Sequence, residues 1–289
     1  MKMLFDFWAF TLQLLTTTGL QILAIFGNFI IFGLILYLLS RYTRRLYVNV
    51  LGEKSDIYFT GWLGTPIHEL GHALMCFPFM HKVTDIQLYK PNSEDGTLGY
   101  VNHAYNPRNP WALIGNFFIA MGPIIFGSIV IFLLVKFLLP NNQQILAALN
   151  SNAVILTTID NVGIFFKQAS TSTINIISTL FNAENFRHWQ FWLFLYICIC
   201  VSAHMELSPP DLKGLWSGVV SIIVILLILN IIFILTGING NAFLISIGKL
   251  TSLTTGIFTL AVVISALNCG LTFILLNIIN LVTHKRFSI

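Results

Sequence analysis

The stretch IYFTGWLGTPIHELGHALMCFPF, residues 57–79, is predominantly apolar, and its only carboxylate and imidazole side chains are His68, Glu69 and His72, beside the uncharged hydroxyls of Tyr58, Thr60 and Thr65. It is long enough to cross the hydrocarbon core of a bilayer, which takes about 20 residues of helix. A carboxylate between two imidazoles is costly in that setting, so ionisable side chains there point to function. On a helix, His68 and His72 are four residues apart and share a face, where both can bind one metal ion. Glu69 beside them is placed to act on water as a general base. Random ordering of the 7 His and 5 Glu of the chain would produce His-Glu-x-x-His only about 0.003 times. A packing role alone would leave three polar groups in hydrocarbon with nothing gained.

Composition sets the class. The chain has 289 residues, 56% hydrophobic and 9% charged, with a mean hydropathy of +0.82. Soluble domains carry roughly 25% charged residues. The expected fold class is therefore an all-α polytopic membrane protein. The net charge of +4 is spread over loops and ends, which excludes the clustered basic footprint of a nucleic-acid binder. The 4 cysteines, Cys76, Cys198, Cys200 and Cys269, lie in apolar segments and read as small hydrophobes without a disulfide framework. Lys2 and the apolar residues after it lack a small-residue cleavage site, so the N-terminus is expected to be retained.

About six transmembrane helices are expected: Leu20 to Leu39, preceded by an amphipathic or partly inserted Leu4 to Thr18; Ile57 to Phe79; Trp111 to Leu139, interrupted at Gly122-Pro123; His188 to Leu207; Leu212 to Thr236; and Thr251 to Val282. Val83 to Tyr89 is rich in β-formers. The turn-rich Pro91 to Gly96 and then Leu98 to Val101 follow it, so residues 83–101 read as a small membrane-associated β-hairpin. Its exposed edge can serve as an ordinary loop or can pair with an extended substrate. The segment Asn141 to Arg187 is expected to hold short helices on the membrane surface. Lys and Arg divide seven against seven between the two sides of a six-span topology, so the positive-inside rule does not orient the chain.

A catalytic zinc usually keeps three protein ligands and one open position. Three residues compete for the third place: Asp211, Glu206 and His204. Asp211 is favoured because Pro209 and Pro210 break the helix before it, and irregular backbone at membrane depth must line protein or a cavity. Asn102, His103 and Asn116 are possible linings of a water path.

At these residues the chain resembles the site-2 protease family of intramembrane zinc metalloproteases. The likeness runs through Thr65-Pro66-Ile67-His68-Glu69-Leu70-Gly71-His72-Ala73, the strand-like residues 83–101, Ala120-Met121-Gly122-Pro123, and Pro209-Pro210-Asp211 with Gly214. It differs in three places: Leu212 and Lys213 separate Asp211 from Gly214, Phe126 stands where that family commonly has Asn, and no PDZ domain fits between the third and fourth spans. The resemblance implies a zinc endopeptidase with Zn2+ held by His68, His72 and Asp211, and with Glu69 as the catalytic base. It implies a metal in the cytoplasmic half of the bilayer and a transmembrane protein or peptide as substrate. It also divides the chain into an N-terminal membrane segment (1–56), an intramembrane metalloprotease core (57–218) and C-terminal transmembrane helices (219–289). The expected location is the cell membrane of a prokaryote, in contact with lipid. Two other readings remain: a non-proteolytic zinc-binding or transport protein, and a membrane zinc peptidase of another family using Glu206, or Glu184, as third ligand.

Overall fold

The computed structural model describes residues 2–52, 54–93, 96–150, 162–238 and 241–283. Eleven α-helices and one two-stranded sheet occupy them. α1 runs Lys2–Leu51 as a single helix, where an amphipathic segment followed by a separate span was expected. Nothing in Thr16 to Leu20 breaks it. The hydroxyls of Thr11 and Thr16 bond back to the carbonyls of Phe7 and Leu12, at 2.9 and 2.8 Å, so they are satisfied within the helix. A lone Gly19 costs only about 1 kcal/mol relative to Ala. At 1.5 Å per residue the helix is about 75 Å long, well beyond the hydrocarbon thickness of about 30 Å.

The short α2 (Lys54–Asp56) leads through a π-helical turn, Ile57–Gly61, into α3 (Trp62–Cys76), which carries His68, Glu69 and His72. The buried Asp56 carboxylate anchors this junction. It accepts from Arg44 Nε of α1 at 3.0 Å and from Thr60 Oγ1 at 2.6 Å. Strand β1 (Lys82–Gln87) pairs antiparallel with β2 (Tyr100–Ala104), with a register shift between Val83 and Asp85. The expected hairpin is present, with its second strand starting two residues and ending three residues farther along than predicted. Tyr89 hangs it on the π-helical turn by donating its hydroxyl to Ile57 O at 2.9 Å.

α4 (Pro110–Ala120) and α5 (Gly122–Leu138) meet at 59°, the interruption expected at Gly122-Pro123. α6 (Asn142–Asn150), α7 (Val162–Leu180) and α8 (Ala183–Arg187) follow. The first two are not surface helices: Ile145, Leu149, Ile176 and Leu180 are buried in the core. Residues 151–161 of that segment lie outside the described ones. α9 (Trp189–Ser202), α10 (Pro209–Thr236) and α11 (Asn241–Thr283) complete the chain.

Three of these helices are long and apolar enough to cross a membrane: α1, α10 and α11, with a fourth if the bent α4–α5 pair is one span. α3, at 15 residues, and α9, at 14, fall short of that length among the described residues. Large apolar side chains such as Ile30, Leu34, Val224 and Leu275 face outward, as lipid-facing helices require. The interior is built from aromatics shared between distant helices: Phe26 of α1 meets Phe117 of α4 edge-on at 4.9 Å, and Phe258 of α11 closes the group through Phe29.

Within this apolar frame one polar clasp joins α1 to α10. Asn230 Nδ2 donates to Gln21 Oε1 at 2.7 Å and to Thr18 Oγ1 at 2.9 Å, and Gln21 Nε2 donates to Asn230 Oδ1 at 3.1 Å. All three side chains are buried. Interhelical hydrogen bonds of this kind are worth about 0.6 to 1.7 kcal/mol each in membrane proteins. Asn230→Leu strands the Gln21 amide and is expected to destabilise the fold by about 1 to 3 kcal/mol, measured by unfolding in mixed micelles.

Candidate metal centre

His68 and His72 stand on the same face of α3, as their spacing requires. Asp211 comes from the first turn of α10, 139 residues beyond His72. The sequence Ser208-Pro209-Pro210-Asp211 explains its position. Prolines fit the first helical turn because they need no N–H partner there, and Ser208 caps the helix in a reciprocal box with Asp211. The Ser208 hydroxyl and backbone N–H both donate to Asp211 Oδ2, at 2.6 and 2.8 Å. That leaves Oδ1 turned to the histidines.

The donor atoms converge. His72 Nε2 lies 3.2 Å from His68 Nε2 and 3.2 Å from Asp211 Oδ1, and His68 Nε2 lies 3.9 Å from Asp211 Oδ2. These three residues form the one group of metal-capable side chains found among the described residues, with ligand atoms all within 4.8 Å of one another. Each imidazole is oriented from behind. His68 Nδ1 donates to the carbonyl of His204 and His72 Nδ1 to that of Ile119, both at 2.7 Å. With Nδ1 protonated, both Nε2 lone pairs face the same small space, which is the usual arrangement of metal-binding histidines. A tetrahedral zinc about 2.05 Å from each donor needs donor separations of about 3.3 Å. The set of two nitrogens and one carboxylate fits such an ion.

Above the three residues opens a cavity of about 660 Å³. Glu69 lies on its wall and is only 7% exposed. The segment Gly96 to His103, including most of β2, forms the opposite wall, and Asn116, Glu206 and Arg44 also line it. Gly99 lies directly over the Glu69 side chain: a Cβ there would come within 2.8 Å of Glu69 Cγ. Asn102, His103 and Asn116, the expected linings of a water path, all reach the cavity. Asn116 Nδ2 is engaged with Ser217 Oγ at 2.8 Å. His103 is bonded to His81, their Nδ1 atoms 3.0 Å apart. Burial first, then the neighbouring His81 and His72, hold the His103 imidazole below its usual pKa.

The competitors for third ligand stand apart from the cluster. The ring of His204 is buried and donates Nδ1–H to Cys200 O at 3.1 Å; only its carbonyl reaches the site. Glu206 lines the cavity without joining the three, and Glu184 is exposed on α8. Two contributors escaped the sequence reading. The Ser208 cap was legible in principle, because Ser-x-x-Asp before an apolar run is a capping signature. The carbonyls of Ile119 and His204 had no signal, since every residue carries one.

No protein-family model, curated protein or solved structure matches the chain.

The hydroxyl of Ser208 makes the shortest hydrogen bond to Asp211, at 2.6 Å. Ser208→Ala removes it while leaving both prolines in place. The expected result is a 10- to 100-fold weaker zinc affinity, the usual consequence of losing a hydrogen bond behind a ligand, read by competition with a chromophoric chelator.

Proposed function

We propose that this chain is an intramembrane zinc endopeptidase of the site-2 protease type, acting on peptide bonds in or near transmembrane segments of membrane proteins. The observation that carries the reading is the reach of Asp211, from the start of α10, to the two histidines of α3, beside a buried glutamate at the wall of a cavity. His68, His72 and Asp211 would hold the ion. A bound zinc acidifies water and polarises a carbonyl.

The chain's own groups supply the rest. Glu69, next in sequence to His68, takes the proton of the attacking water and returns it to the leaving amine. Its apolar cover at Gly99 limits competing solvent. A substrate helix hides its carbonyls in i to i−4 hydrogen bonds, so it must unwind before cleavage. Among the described residues β2 pairs with β1 alone, and its residues line the cavity. Pairing of the unwound segment along that strand offsets the lost helical bonds. The proposal includes six spans, with the α2–α3 unit and α9 joining α1, the α4–α5 pair, α10 and α11, in the cell membrane of a prokaryote.

Zinc content per purified chain tests the ligand set without knowledge of a substrate. About one zinc is expected in the wild-type protein and in Glu206→Gln, and little in Asp211→Asn. Loss in Glu206→Gln alone would move the protein to another class of zinc peptidase, and no zinc in a reconstituted wild type would remove the hydrolase reading. Glu69→Gln should keep its zinc and lose at least 100-fold in cleavage of single-span model peptides in micelles, because a general base typically contributes 10²- to 10⁴-fold.

A further inference from the structure

Building on the reading of this site as a metal centre, we propose that Pro123 is a positioning residue for His72. By lacking an N–H, it leaves the Ile119 carbonyl open to His72 Nδ1–H, and so fixes the ring with Nε2 toward Asp211.

In an uninterrupted helix the carbonyl of residue 119 accepts from the N–H of residue 123. Proline has no such donor, and the break between α4 and α5 falls at this point, with a bend of 59°. The N–H of Met121, bonded to Phe117 O at 2.9 Å, also leans toward Ile119 O. A carbonyl has two lone pairs, and the second is taken by His72 Nδ1 at 2.7 Å. Both groups are buried with Ile119 and His72, where an unpaired donor or acceptor is costly. Each therefore satisfies the other.

A second observation places the break where this bond can form. The backbone at Gly122 rests directly on α3. A Cβ at Gly71 would meet Gly122 C at 2.6 Å, and a Cβ at Gly122 would meet His72 N at 2.9 Å. The two residues of the Gly-Pro pair thus have separate tasks: Gly122 permits the approach to the turn bearing His72, and Pro123 leaves the acceptor free.

The test has two arms, one independent of zinc. In metal-stripped wild type with ¹⁵N-labelled histidine, His72 is expected as the Nδ1–H tautomer; an Nε2–H tautomer overturns the proposal. In Pro123→Ala the restored N–H competes for Ile119 O. The expected result is a mixture of His72 tautomers and zinc binding weakened 10- to 100-fold, with the exposed Pro140→Ala as an unchanged control. A folded Pro123→Ala protein with wild-type tautomer and zinc affinity also overturns it. If Pro123→Ala does not fold, the wild-type tautomer decides. A wild type that binds no zinc yet holds His72 as Nδ1–H supports the role of Pro123 while removing the metal centre.

Discussion

Two hydrogen bonds from imidazole to main chain set the geometry on which the candidate site depends. At 2.7 Å each, they hold His68 against the carbonyl of His204 and His72 against that of Ile119. Both carbonyls belong to places where a helix stops: one just beyond the end of α9, the other at the bend between α4 and α5. In a membrane protein a backbone group released from its helix must find another partner. Here the released oxygens find the two histidines, so the interruptions that look like defects in apolar helices also orient the polar floor of the cavity.

The anionic member of the group is held by a different device with the same logic. Asp211 sits in the first turn of α10, where the N–H groups of a helix are unsatisfied and the helix dipole favours negative charge. Two prolines reduce the number of those N–H groups, and Ser208 binds one carboxylate oxygen. The other oxygen is left for His72. A capping residue ordinarily serves its own helix; this one serves a site assembled with a helix far away in sequence.

Much of this could be read before the fold was known. The face shared by His68 and His72 follows from helical period alone, the hairpin from β-formers around a turn, and the interruption in the third apolar stretch from Gly122-Pro123. The candidacy of Asp211 followed from the prolines before it. What was not legible has a physical reason in each case. Leu4 to Thr18 does not stand apart from Leu20 to Leu39, because the hydroxyls of Thr11 and Thr16 bond within the helix and let α1 continue. Ile176 and Leu180 of α7, within the segment expected on the membrane surface, are buried by α6 before it and by α11, and α11 is distant in sequence. The carbonyl acceptors have no side chain to announce them.

α1 adds a mechanical consequence. It has no interruption between Lys2 and Leu51, and it bears the clasp to Asn230 at Thr18 and Gln21, in its first half, and Arg44 near its C-terminal end. Arg44 lines the cavity and grips Asp56 beside the π-helical turn. A continuous helix transmits displacement along its length, with no break to absorb it. Part of the cavity wall is therefore the end of a lever whose other arm lies among the lipid-facing helices, so a change in the tilt of α1 is also a change in the shape of the chamber.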